Sequence, residues 1–271
     1  MPEAFKARYT LTPRWLTGPS RRRPMQRLSP GVRFLVAHDT GNPGSTAANN
    51  VAYYERSRND MAASAHLFVD DREIVECIPA LTAEPEKAWH VRYDVEGDDR
   101  LYGHDANDAA IGVEYCYGGR IDADEAYRKY VWTLALLCHR YALDTRRITG
   151  HCFLDPGRKT DPLTGLADSR RSYEQLLRDV AQEIAVCTAP DGAPPLPALV
   201  GALQGGVARV LARVNLRRGY PSRMAPIART LQPGAEVRYV RSVENGEPVN
   251  GNARWYCDEA GDYFWSGAVA A

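Results

Sequence analysis

Five residues from three distant stretches have the types needed for metal-assisted amide hydrolysis: His38, Glu114, and the downstream group His151, Lys159 and Asp161. Two imidazoles and one carboxylate form a ligand set that holds a catalytic zinc with its fourth position open to water. His38, His151 and Asp161 therefore read as a zinc tripod. A lone histidine is ordinarily a satisfied or exposed imidazole, but here both histidines end apolar runs and a carboxylate follows ten residues after the second. The intervening loop carries Pro156, Gly157 and Pro162, which lets it fold back to close the tripod. Glu114 stands within the apolar run Ala110–Cys116. A carboxylate there is either paired with an arginine or employed as a general base with a pKa raised by burial. Lys159, two residues before Asp161, is placed to stabilise an oxyanion on a carbonyl under attack, against the alternative of a solvated lysine beside Arg158.

The elements that must position these groups follow from periodicity and turn chemistry. Gly31–His38, Ala65–Val69, Glu73–Ile78 and Ala110–Cys116 read as strands, and Arg147–Thr149 as a short strand delivering His151 at its carboxyl end. Ala47–Arg56, Ala126–Tyr141 and Ser172–Ala185 read as helices, the second with Val131, Leu134, Ala135 and Cys138 on one face. The alternation predicts an α/β layered domain with a mixed central sheet flanked by helices, its functional crevice at the carboxyl ends of the strands. The segment Ala189–Pro197 contains four prolines and reads as a semi-rigid linker, because each removes a donor and fixes φ. Beyond it, short alternating runs between Gly, Pro, Asn and Asp turns predict a small all-β barrel, with 207–214 either a short helix or its first strand. The expected division is 1–187 catalytic, 188–206 linker and 207–271 barrel.

Composition narrows the function classes. The 271 residues are 44% hydrophobic and 25% charged, with 34 basic and 34 acidic residues, so no net field recruits nucleic acid or an anionic membrane. The run Arg21–Arg23 reads as a solvated loop. No apolar stretch of about 18 residues is present and the first residues lack a signal-type apolar segment, so membrane insertion is not expected. Synthesis in the cytoplasm without a signal peptide is expected. The six cysteines lack C-x-x-C spacing and read mostly as small buried hydrophobes; Cys152, beside His151, is set aside as a ligand because neighbours in an extended segment point apart. Asp98-Asp99, in a polar loop over 93–108, has no calcium-loop spacing around it.

The runs Val36-Ala37-His38-Asp39-Thr40-Gly41, Ser64-Ala65-His66, Val69-Asp70-Asp71, Ala88-Trp89-His90, Ile111-Gly112-Val113-Glu114, and Gly150-His151 through Lys159-Thr160-Asp161-Pro162 together resemble the zinc-dependent N-acetylmuramoyl-L-alanine amidases. These form the type-2 amidase and peptidoglycan-recognition group that includes phage endolysins. The resemblance covers about residues 25–185. It implies His38, His151 and Asp161 as zinc ligands, Glu114 as general base and Lys159 as transition-state stabiliser. Trp89 and His90 would line the substrate cleft, with a core tryptophan and a loop histidine as the alternatives. Many endolysins carry cysteine where Asp161 stands; carboxylate oxygen also binds zinc well. The implied activity is hydrolysis of the amide between N-acetylmuramic acid and L-alanine in bacterial peptidoglycan. A non-catalytic peptidoglycan binder and a zinc peptidase acting within wall peptides are the alternatives. Residues 207–271 resemble bacterial SH3-like wall-binding domains through Val214–Arg217, Gly219–Ser222, Gly251–Tyr256 and Asp262–Trp265, with Trp255 and Trp265 either binding residues or core.

Overall fold

Apolar runs bounded by turn residues become the strands of a six-stranded mixed sheet in the computed structural model, which describes residues 5–189, 205–225 and 227–270. In chain order the first elements are β1 (Leu11–Pro13), β2 (Phe34–Asp39), α1 (Ala47–Arg56), β3 (Leu67–Val69), β4 (Ile74–Glu76), α2 (Gly97–Tyr102) and α3 (Ala106–Ala109). Then come β5 (Ala110–Tyr115), α4 (Ala123–Arg140), β6 (Ile148–Gly150), α5 (His151–Leu154), α6 (Leu163–Asp168) and α7 (Tyr173–Thr188). The sheet order is β1-β4-β3-β5-β2-β6, in which β3, β5, β2 and β6 run parallel and β4 pairs antiparallel with β3. The central strands β2 and β5 are almost fully buried, as continuous apolar runs in a sheet covered on both faces must be.

Strand alternation divides the two coverings. Phe34 and Val36 of β2 and Ala110 of β5 join Val91, Ala106, Ala109 and Leu154 in one apolar cluster. Farther along the sheet, Phe68 and Val75 pack with Ala47 and Val51 of α1. Helix α4 packs on β3 and β5 and buries Tyr130, Leu134 and Leu137; Tyr115, Val113 and Leu35 are buried with no accessible surface. Its start lies three residues before the expected Ala126, because Asp122 caps it by accepting hydrogen bonds from the Asp124 and Glu125 amides.

Three expectations need correction. Arg21–Arg23 is not a solvated loop, since Arg22 and Arg23 are buried. Arg22 donates to the Ser57 carbonyl and hydroxyl at 3.1 and 2.9 Å, with its guanidinium 4.3 Å from the Tyr54 ring centroid. Arg23 forms a two-pronged pair with Glu86 at 2.7 and 2.8 Å. Run-based reasoning sees charge but not the partners that a planar, five-donor group can reach. The segment 93–108 is not simply loop, because it contains α2 and α3. Asp98 is fully buried there and accepts from the Ala106 amide at 2.7 Å. Helices this short span too few residues for periodicity to register. Finally, His151 and Cys152 lie in the helical turn α5 rather than in an extended segment.

The chain divides into two compact units, Phe5–Val180 and Ala181–Ala271. Most of the expected linker lies outside the described residues. The second unit contains β7 (Gly206–Val210), β8 (Val214–Arg218), β9 (Ile227–Leu231), β10 (Glu236–Tyr239), β11 (Arg241–Val243), β12 (Trp255–Cys257), β13 (Asp262–Trp265) and β14 (Val269–Ala270). These form a three-stranded sheet, β10-β7-β14, and a five-stranded sheet, β11-β12-β13-β8-β9, both antiparallel. The ambiguous stretch 207–214 is not helical: 207–210 belong to strand β7 and Val214 begins β8. Trp255 is buried with Val243, Cys257 and Tyr263, so it belongs to the core of this unit. Among the described residues no helix is long and apolar enough to cross a membrane.

Candidate active site

The parallel register of β2 and β5 sets His38 directly beside Glu114 at the carboxyl ends of the two central strands. Register partners on adjacent strands project from one face, so the imidazole and the carboxylate share the crevice side of the sheet. The Tyr130 hydroxyl donates to the His38 carbonyl at 3.1 Å from α4, holding the strand end from the opposite face. Strand β6 pairs with β2 on its other side and runs directly into α5, whose first residue is His151. The loop that follows folds back, and the Cys152 amide donates to the Asp161 carbonyl at 2.9 Å.

The three residues read as a tripod converge. One carboxylate oxygen of Asp161, Oδ2, lies 2.9 Å from His38 Nδ1 and 3.1 Å from His151 Nδ1. The candidate ligand atoms of His38, His151 and Asp161 all lie within 4.8 Å of one another. Burial, together with the charges of His151 and Lys159, lowers the His38 pKa to about 4 despite the raising influence of its Asp161 hydrogen bond, so the imidazole is neutral near pH 7. Burial alone would raise the Asp161 pKa, but the two histidine contacts outweigh it and hold the carboxyl well below the usual carboxylate range. Neutral imidazole nitrogens and an ionised carboxylate are the forms that bind a divalent transition metal, so the donor set fits such an ion. Cys152 is not in this group, and burial pushes its thiol up to about 11, away from the thiolate that metals bind.

Glu114 has one oxygen, Oε2, sealed from solvent without a hydrogen-bond partner. Burial first, then the nearby Asp161 and Asp39 carboxylates, raise its pKa well above the ordinary value, and Lys159 opposes them. The arginine pairing weighed for Glu114 is not found among the described ion pairs. Lys159 is half-buried and close enough for its charge to act on His38, Asp39 and Glu114. Trp89 is partly exposed, with Tyr93 and the Lys87 ammonium against its ring. His90 is only 8% exposed, and its Nδ1 lies 3.1 Å from His38 Nε2.

Sequence reasoning did not single out Asp39. Its Oδ1 accepts from the Gly41 amide at 3.0 Å and its Oδ2 from the Gly165 amide at 2.8 Å. It thereby ties the end of β2 to α6 and so to the loop carrying Asp161. Its place next to His38 was the available signal, but Gly165 lies too far along the chain for pairing to be read.

A family profile described as N-acetylmuramoyl-L-alanine amidase matches residues 27–164, just over half of the chain. The chain belongs to this amidase family. The matched span contains His38, Glu114, His151, Lys159 and Asp161. The amidase CwlL of Bacillus licheniformis is 33% identical over 144 residues, 51% of this chain and 38% of that protein. The 1,6-anhydro-N-acetylmuramyl-L-alanine amidase AmpD of Citrobacter freundii is 31% identical over 105 residues, 38% of this chain and 51% of that protein. The chain thus spans between about a third and a half of the curated relatives it matches. Among solved structures, the Staphylococcus aureus hydrolase AmiA aligns with a TM-score of 0.53 at 19% identity, covering 65% of this chain and 84% of that one. A mutant endolysin from Bacillus subtilis aligns at 0.50 and 21%, covering 64% and 99%. These two likenesses show that the amidase-family domain has their fold.

Proposed function

We propose that the chain is a zinc-dependent peptidoglycan hydrolase that cuts the amide between N-acetylmuramic acid and the L-alanine of the stem peptide. The observation that carries this reading is the convergence of His38 Nδ1 and His151 Nδ1 on one Asp161 oxygen, beside Glu114, inside a domain of the amidase family. His38, His151 and Asp161 would hold the zinc. When bound, zinc supplies a Lewis acid that polarises the scissile carbonyl and acidifies water.

The chain's own residues supply the remaining steps. Glu114, with a carboxylate made basic by burial and by two neighbouring acids, takes the proton from the attacking water and returns it to the leaving amine. The Lys159 ammonium stabilises the negative charge that develops on the carbonyl oxygen. Trp89 offers a partly exposed aromatic face to the substrate at the edge of the cleft. The all-β second unit is read as an SH3-like module that adheres to the wall, supported by its two small antiparallel sheets and its aromatic residues. Bacterial peptidoglycan is then the partner of both units, reached from the cytoplasm by lysis or non-classical export.

Digestion of purified cell walls tests the reading through product masses. Free stem peptides with an L-alanine amino terminus and intact glycan strands are expected. Cleavage between amino acids would assign a peptidase instead, and unchanged wall retained on the protein would assign a binder.

A further inference from the structure

Four histidine rings stand in a row beneath the crevice. Ring centroids are 5.5 Å apart for His66 and His90, 5.3 Å for His90 and His38, and 4.8 Å for His38 and His151. All four residues are buried. A neutral imidazole carries one donor and one acceptor nitrogen, and the hydrogen bond at one nitrogen decides which role the other plays.

His66 is fixed first. Its Nδ1 accepts from the Gly112 amide at 3.0 Å, so its proton sits on Nε2, which donates to the Glu86 carbonyl at 2.9 Å. With both nitrogens engaged, His66 forms a neutral wall and takes no part in pairing His90. The partner of His90 Nδ1 is His38 Nε2 at 3.1 Å. If His38 is to present the lone pair of Nδ1 toward Asp161 and His151, its proton must sit on Nε2, and His90 Nδ1 is the group placed to accept it. The His90 proton then lies on Nε2, a buried atom without a hydrogen-bond partner.

The backbone is arranged around this ring. Asn107 Oδ1 accepts from the His90 and Val91 amides at 2.8 and 3.1 Å, and its Nδ2 donates to the Val91 carbonyl at 2.6 Å. Gly112 of β5 lies so close under the ring that a Cβ there would stand 2.8 Å from His90 Cγ and Nδ1. Only a glycine at this point of the strand leaves the imidazole room to reach His38.

We propose that His90 is a positioning residue: by accepting the Nε2 proton of His38 it fixes that ligand's tautomer and ring plane and turns Nδ1 toward the metal. The inference rests on the zinc reading above. Groups that orient a metal-binding histidine through its second nitrogen are typically worth about 10–100-fold in metal affinity.

The test is zinc affinity of the full chain, measured by competition with a chromophoric chelator, together with the visible spectrum of the cobalt-substituted protein. His90→Phe keeps a ring and removes the acceptor; about 10–100-fold weaker zinc binding and an altered cobalt spectrum are expected. His90→Asn, which retains an acceptor oxygen near the Nδ1 position, is expected to recover most of that loss, and Gly112→Ala to weaken binding with every nitrogen still present. Nitrogen-15 NMR of the zinc-loaded wild type needs no variant and should show His38 and His90 both protonated on Nε2. Zinc affinity in His90→Phe equal to wild type, or a His90 proton found on Nδ1, overturns the positioning role alone. A wild-type chain that binds no zinc overturns the metal reading and this inference with it.

Discussion

At the scale of single residues, the site sets two features side by side: closely spaced buried imidazoles and a carboxylate with a sealed, unpaired oxygen. The sealed oxygen does not stabilise the fold, since an unpaired buried polar group costs free energy. Their roles separate in two variants. Glu114→Gln should keep zinc, measured by metal analysis after gel filtration, while the rate on a soluble muramoyl peptide falls about 10²–10⁴-fold, the usual contribution of a positioned general base. His38→Ala should lose both zinc and turnover. Wild-type rates in Glu114→Gln would remove its role as base. The grouping of His38, His151 and Asp161, with Glu114 beside them, was legible in the sequence because strand-end histidines, an acid in an apolar strand and a returning carboxylate are each unusual. The Nδ1 and Nε2 roles were not legible, since they depend on which atoms lie about 3 Å from each ring. His90, read from the sequence as lining the cleft, is placed with its ring against His38.

At the scale of elements, short-range turns and close backbone contacts hold the helices and strands together. Glu76, at the end of β4, is fully buried and accepts at Oε1 from the amides of Ala80, Leu81 and Thr82, at 2.9, 2.5 and 3.1 Å. Its Oε2 accepts from the Trp15 indole at 2.9 Å and from the Thr82 hydroxyl. Burial alone would raise its pKa, but the Thr82 and Trp15 side chains and the Leu81 and Ala80 amides outweigh it and lower it. A carboxyl depressed in the folded state adds stability above its unfolded pKa, and that stability is lost as pH falls through the folded value. Glu76→Gln is therefore expected to cost about 1–3 kcal/mol in urea unfolding at pH 7 and to flatten the acid limb of stability against pH. An unchanged limb would show that other carboxylates set it. Gly97 of α2 is a second such point, because a Cβ there would stand 2.3 Å from the Leu154 carbonyl oxygen of α5. Backbone cannot yield as a side-chain tip does, so Gly97→Ala should lower stability by about 1–3 kcal/mol in the same measurement. These helices escaped sequence reading because α2 and α3 are six and four residues long.

At the scale of the whole molecule, the candidate site lies in one unit and an all-β assembly makes up most of the other. A ligand that binds only the folded state stabilises it by RT ln(1 + [L]/Kd), about 2.7 kcal/mol at a hundredfold excess over Kd. Removing zinc with a chelator is thus expected to speed hydrogen exchange in β2, β5 and β6 and to leave the amides of β7 to β14 unchanged. Exchange that quickened equally in both units would place metal binding elsewhere or couple the units. The sequence by itself determined the alternation of strands and helices and the residue types of the site, because apolar periodicity and chemically unusual residues are local properties of the chain. Only the tertiary structure decided that Arg22 and Arg23 are buried, that Asp39 braces α6, and that one oxygen of Asp161 faces two histidines. Those outcomes depend on strand register and on loops that return across separations from 10 to 126 residues, where the partner of a polar group is set by packing rather than by its neighbours in sequence.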